Sequence, residues 1–207
     1  MTLIVHHLNN SRSQRILWLL EELGVPYEIR HHQRDAVTNL APPELLAIHP
    51  LGKSPMIEDN GRVIIESGAI VEYLCERHGG GHLVPPRGTD DHIRHLELIH
   101  FAEGSAMTPI LLQLYTSRLG EAAEPIKPRI DQQLAAHFDF MEAELSTSGH
   151  FIGNALSAAD IMLSFPAEVA AMQGATATRP KLGAFVAAIH ARPAYKVALE
   201  KGGPYFG

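Results

Sequence analysis

The chain has 207 residues, of which 45% are hydrophobic and 19% charged, with a formal net charge of −6. This composition excludes a disordered chain, and the acidic balance argues against a nucleic-acid or anionic-membrane partner, both of which need a basic face. One cysteine, Cys75, excludes a disulfide framework, a CxxC redox pair and a cysteine zinc site; it fits a reducing, cytoplasmic setting. The opening MTLIVHHLNN has an apolar run of only three residues and no basic flank, so no signal peptide is expected. No run of 18 apolar residues is present to span a membrane.

Residues 2–6 read as a short buried strand, followed by the polar turn LNNSRS. From Ile16 the pattern is helical, with Leu17, Leu20 and Leu23 completing an apolar stripe; Asn10, Ser11 and Ser13 are candidate N-caps. Gly24 stops this helix and Pro26 prevents its return. Residues 27–32 form a second predicted strand, and 42–48 a short helix. After HPLGKSP come the strands MIED and VIIE, joined by Asn60-Gly61, a hairpin signal. Ser67 opens a helix carrying Ile70, Val71, Leu74 and Cys75 on its apolar positions. The order βαβ, short helix, ββα predicts a mixed four-stranded sheet covered by helices.

Three glycines and two prolines in 79–88 mark a linker between a domain at 1–78 and another at 89–207. Beyond it no strand pattern recurs. Ile130, Leu134, Phe138, Met141 and Leu145 make one helical stripe, and Ile161, Phe165 and Val169 another. Residues 101–115 read as the first long helix after the linker, and Pro109 and Pro166 should kink or break their helices. Ser157 and Asp160 before Ile161 form an S-x-x-D capping box, structural in role, with Ile152 as its apolar partner.

Three places carry chemistry. The turn NNSRS puts hydroxyls at a helix N-terminus, where amides and dipole favour an anion. In HPLGKSP, a Ser54–Pro55 bond in the cis form would turn neighbouring main-chain groups outward, and Lys53 offers a point charge for a carboxylate. At Glu66-Ser67-Gly68 the Ser67 hydroxyl caps a helix whose N–H groups favour a carboxylate. Each also has a plain reading as capping or a solvated loop; together they lie at strand ends and helix starts of one sheet, where open α/β folds bind ligands. His92, His95 and His100 lie near helical spacing but lack a third fixed ligand, so no metal is expected. The pairs His6-His7 and His31-His32 lie on strands, where alternation points one of each pair away from its neighbour.

On SRSQRILWLLEELGVPYE, LGKSPMIED, ESGAIVEYL and NALSAADI, the chain resembles the cytosolic glutathione S-transferase family over its whole length. The resemblance implies an α/β thioredoxin-like N-terminal domain plus an all-α C-terminal helical domain, and a homodimer. It implies that Ser54 precedes a cis Pro55 and pairs with the cysteinyl backbone of glutathione, that Glu66 and Ser67 hold the γ-glutamyl group, and that Lys53 reaches a carboxylate. The first turn holds neither Tyr nor Cys, so the chain looks serine-type, with Ser11 favoured as the thiol-activating residue, Ser13 its rival and glutathione contact, and Asn10 or Arg12 assisting. A hydrophobic electrophile is expected against Glu103, Gly104, Met107 and Thr108 of the helical domain. Glutathione then acts as co-substrate with no other cofactor. Two alternatives remain open: a non-catalytic glutathione-binding or interaction protein of the same fold, and a glutathione-dependent peroxidase.

Overall fold

The computed structural model describes residues 2–203 and 205. The chain divides into two compact units, one running to Val84 and resuming at His190, the other Pro85–Ile189.

The first unit contains β1 (Leu3–Leu8), α1 (Gln14–Leu23), β2 (Glu28–His32), α2 (Glu44–Ile48), β3 (Met56–Asp59), β4 (Arg62–Ile65) and α3 (Ser67–Arg77). The sheet order is β2-β1-β3-β4, with β1 parallel to β2 and antiparallel to β3, and β3 antiparallel to β4. Every residue of β1 is buried, because helices cover both faces of this central strand. On one face Leu8, Leu45 and Met56 form a cluster that seats α2; on the other, α1 and α3 pack together. Both His6 and His7 are therefore interior: alternation sends them to opposite faces, but neither face is wet. The β3–β4 hairpin turns on Asn60 and Gly61, both at positive φ (50° and 81°) as a tight two-residue turn requires. Gly24 ends α1 in the left-handed region at φ 64°.

In the second unit, α4 (Asp90–Phe101) leads directly into a π turn (Ala102–Ala106) and α5 (Met107–Thr116). The expected helix at 101–115 is thus preceded by α4, and Pro109 does not break it. Pro109 lacks the N–H that would reach the Ser105 carbonyl, and Ser105 lies in the π turn, where a widened backbone takes up the mismatch. Next come α6 (Lys127–Glu144), α7 (Ala158–Met172) and α8 (Pro180–Ala191). Residues 158–170 of α7 are all buried, which explains an apolar pattern that runs round the whole helix. Pro166 lies inside this helix without ending it.

The final helix, α9 (Pro193–Gly202), corrects the expected domain limits of 1–78 and 89–207: it belongs with the first unit and packs along α1. Arg192 binds both carboxylate oxygens of Glu22 (2.5 and 2.9 Å), Lys201 binds Glu21 (2.5 Å), and Trp18 meets Tyr195 edge to face at 5.5 Å. A β-carbon at Gly202 would stand 2.7 Å from Gln14 Oε1 and 2.7 Å from Leu17 Cδ1, so glycine is what lets the helix end lie flush on α1.

The capping box at α7 is formed, and Asp160 is wholly buried. Its Oδ2 accepts from the Ser157 N–H (2.6 Å) and Oγ–H (2.7 Å), and its Oδ1 from the Phe151 N–H (2.9 Å). Asp160 is thus a clamp between the loop and the helix as well as a cap. Asp160→Ala should lower stability by roughly 2–4 kcal/mol, since it removes a cap and strands buried donors. Chemical denaturation of the protein checks this.

Candidate functional site

The site is built around the junction of β1 and α1. Asn10 adopts a positive φ of 49°, and Arg34 pins the turn: its main-chain N–H donates to Asn9 Oδ1 (2.8 Å), its Nε to the Asn9 carbonyl (3.1 Å) and its Nη2 to the Asn10 carbonyl (3.3 Å). Ser13 stands at the N-cap position of α1 but makes no side-chain cap bond. Its hydroxyl is drawn instead to β1, 2.9 Å from His7 Nδ1, and it accepts the Leu8 N–H at 3.3 Å. Ser11 Oγ lies 2.8 Å from Ser13 Oγ and 3.5 Å from Ser54 Oγ, and accepts the Ser13 N–H at 3.2 Å. The capping role expected for Ser13 is therefore replaced by a serine pair joined to a strand histidine, while Ser11 still accepts one N–H at the start of α1.

A cavity of about 210 Å³ opens beside this junction, lined by Arg12, His49, Leu51, Lys53, Ser54, Pro55, Ile65, Glu66 and Ser67. Six of the residues singled out in the sequence, Arg12, Lys53, Ser54, Pro55, Glu66 and Ser67, share this wall. Ser11 stands behind Ser54, and Ser13 is fully buried beneath both. Ser54–Pro55 is cis, and Ser54 Oγ donates to the His6 carbonyl at 3.1 Å, which fixes the loop to β1. The expected Ser67 cap is not formed. Glu66 holds the N-cap position with φ 68°, and Ser67 is the first helical residue, its Oγ accepting from Arg15 Nη2 at 3.4 Å. Left-handed backbone on a non-glycine residue is uncommon and concentrates at functional sites; here it swings Glu66 outward while Ser67 stays buried.

Arg12, His49 and Lys53 bring cationic or protonatable groups to the cavity, with Glu66 as its acidic member. His49, Leu51 and Ile65 were not singled out; His49 and Leu51 belong to the HPLGKSP loop that was. Arg15 was missed because it sits in an apolar helical stripe, yet it is 2% exposed and supports Ser67. A second depression of about 680 Å³ lies at the far end of β3, around Asp59, Arg62, Tyr73 and Arg77, and contains none of the predicted site residues.

In the helical unit, Glu103 and Gly104 lie in the π turn, and Thr108 is exposed in the first turn of α5 with its Oγ1 donating to the Gly104 carbonyl at 2.9 Å. Met107 is a correction: it is 2% exposed and belongs to the core of that unit, not to a ligand-facing surface. Its place in the stripe made it look like an adaptable contact; packing used it as filler.

A thioredoxin-like mixed sheet followed by a helical unit, with a cavity at a cis-proline loop, defines the class of protein. Residues 1–76 match the family described as Glutathione S-transferase, N-terminal domain, and residues 104–193 match Glutathione S-transferase, C-terminal domain. Glutathione S-transferase 1 of Saccharomyces cerevisiae is 32% identical, over 95% of this chain and 94% of its own. Glutathione S-transferase 3 of Schizosaccharomyces pombe is 33% identical, over 96% and 87%. The crystal structure of a glutathione S-transferase from Actinobacillus pleuropneumoniae superposes with a TM-score of 0.89 at 30% identity, covering 99% of this chain and 94% of that one. The chain belongs to the glutathione S-transferase family.

Burial pushes the His7 imidazole down to about 4, with His31 and His32 adding to the effect and the bond to the Gly202 carbonyl opposing it. A histidine near its ordinary value of about 6.5 when unfolded then binds a proton that the native state does not, so stability falls as the pH drops from about 6.5 towards 4. Denaturant unfolding across this window should show that slope, and His7→Asn should flatten it.

Proposed function

We propose that the first unit binds glutathione in the cavity around Ser54, Glu66 and Ser67, and that Ser11 stabilises the glutathione thiolate for attack on a small hydrophobic electrophile. The reading rests most on one observation: Lys53, Ser54, Pro55, Glu66 and Ser67, which the family resemblance assigns to glutathione, line one cavity, and Ser11 touches Ser54 behind its wall. In this reading the γ-glutamyl carboxylate meets Ser67 at the N-terminus of α3, and its amine meets the outward Glu66. Lys53, with Arg12 beside it, receives the other carboxylate. The main chain of Ser54 pairs with the cysteinyl residue.

Magnitudes decide what Ser11 must do. A free thiol titrates near 8.5, and lowering it by two units requires about 2.7 kcal/mol. A helix N-terminus supplies roughly 0.3–1 kcal/mol, at most about 2. A hydrogen bond to a charged group adds roughly 1.5–3 kcal/mol. The dipole of α1 alone falls short, so a hydroxyl donor is required, and Ser11 acts as that donor and not as a nucleophile. Ser13, wholly buried, is no direct contact in this reading. For the electrophile, Glu103, Gly104 and Thr108 are proposed as contacts, with Met107 packed beneath them; a homodimer in a reducing, cytoplasmic setting completes the reading.

Ser11→Ala should raise the apparent pKa of bound glutathione by roughly one to two units and lower kcat at pH 7 by about 10- to 150-fold, with the defect shrinking at high pH. Ultraviolet titration of the thiolate in the complex measures it; an unchanged pKa would remove Ser11 from the chemistry. Ser67→Ala should raise the KM for glutathione more than it lowers kcat, because its contact exists in ground and transition states alike. Wild-type affinity by calorimetry would take Ser67 out of the site. Assays against aryl halides, epoxides and isothiocyanates identify the electrophile class, and turnover of none of them would refute the conjugating activity.

A further inference from the structure

The serine pair does not end at Ser13. It continues through His7 to the last helix, and the direction of every hydrogen bond in this chain of groups can be assigned. A carbonyl only accepts, so the 2.9 Å contact between His7 Nε2 and the Gly202 carbonyl places the imidazole proton on Nε2. Burial holds the ring neutral, which leaves Nδ1 with a lone pair. Ser13 Oγ lies 2.9 Å from that nitrogen and 3.3 Å from the Leu8 carbonyl; it donates to the nitrogen, because two lone pairs facing each other at 2.9 Å would repel. A hydroxyl has one proton, so at the 2.8 Å contact between the two serines Ser11 is the donor and Ser13 the acceptor. Ser54 does not alter this: its own proton goes to the His6 carbonyl. The donations run inward, from Ser11 to Ser13 to His7 to Gly202.

We propose that His7 is a positioning residue for the thiol chemistry: by accepting the Ser13 proton it fixes the direction of the Ser11–Ser13 bond, so that the Ser11 proton is held inward until a thiolate draws it out. The inference rests on the reading of Ser11 as thiolate donor. When Ser11 turns its proton to sulfur, Ser13 keeps its donation to His7 and still accepts the Leu8 N–H, so no buried group is left wholly unpartnered. What is given up is the bond from Ser11 to Ser13. His7 is not the base that takes the thiol proton. Moving a proton from a group near 8.5 to one near 4 is uphill by more than four units, whereas release to solvent at pH 7 is uphill by about 1.5.

Removing the acceptor reverses the chain. In His7→Leu the Ser13 proton is left with Ser11 Oγ at 2.8 Å and the Leu8 carbonyl at 3.3 Å as acceptors; the shorter contact takes it, and the Ser11 proton is then turned towards the ligand. The bound thiol no longer gives up a hydrogen bond on ionising, so its pKa should fall by roughly 0.4–1 unit, about a two- to tenfold change in the ratio of thiolate to thiol. His7→Asn is the control of nearly equal shape. Its Oδ1 occupies the position of Nδ1 and accepts from Ser13, so the wild-type pKa should return. The measurement is the ultraviolet titration of glutathione bound to the full-length protein, alongside Ser11→Ala. A lowered pKa in His7→Leu with the wild-type value in His7→Asn supports the assignment. Equal values in the two variants, or a raised one in His7→Leu, would overturn it. If His7→Leu does not fold, Ser13→Ala serves instead: it frees the Ser11 proton by deleting its acceptor and should lower the pKa, and no decrease overturns the proposal. A shift in Ser11→Ala without one in the His7 or Ser13 variants refutes this inference alone; no shift in any of them, or no binding of glutathione, refutes the thiolate reading with it.

Discussion

The hydroxyl of Ser13 is the constraint on which the site depends. It is 0% exposed at the point where β1 gives way to α1, and a buried hydroxyl must find partners within the protein. It finds them on β1, not on the helix it precedes. That choice pulls the start of α1 against Leu8 and His7, sets the Ser11 hydroxyl beside Ser54, and so decides where the turn NNSRS stands relative to the cis-proline loop. Arg34 closes the turn from the other side through the Asn9 and Asn10 carbonyls. The first turn of a helix is a generic anion site; here the contacts of two buried serines and a strand histidine give it one geometry.

The same chain of groups ties the site to α9. Gly202 supplies the carbonyl that orients His7, and it can do so because it has no side chain to collide with Gln14 and Leu17. The ion pairs of Arg192 and Lys201 with Glu22 and Glu21 set partly exposed cations on largely covered carboxylates and fix the register of α9. The burial of Trp18, Tyr195 and Ala198 carries more of the stabilisation. A helix that the linear sequence places in the second domain thereby becomes a wall of the first.

Much of the fold was legible because its signals are local. The stripe after Ile16, the stop at Gly24, the Asn60-Gly61 turn and the S-x-x-D box each act within a few residues and each appear where expected. The cavity was legible because its residues come from three short segments whose patterns are recognisable. What was not legible depends on distant partners. Nothing near His7 or Gly202 in the chain announces that they meet across 195 positions. The capping roles of Ser13 and Ser67 were misjudged for the same reason: local propensity favours capping, but tertiary partners, His7 and Arg15, claimed both hydroxyls. Met107 failed in the opposite direction, since a stripe cannot tell a residue facing a ligand from one facing a neighbouring helix. The domain limit at 207 failed because α9 reads as one more helix until its partner is known.

The central claim is that this cavity binds glutathione with its sulfur beside Ser11 and holds it as the thiolate. Glutathione labelled with carbon-13 at the cysteinyl β-carbon reports this directly, because that chemical shift follows ionisation of the sulfur. Titrated in the complex with the full-length protein, it should show a pKa at least about one unit below the free value near 8.5. A label that titrates in the complex as it does in free solution would contradict the account.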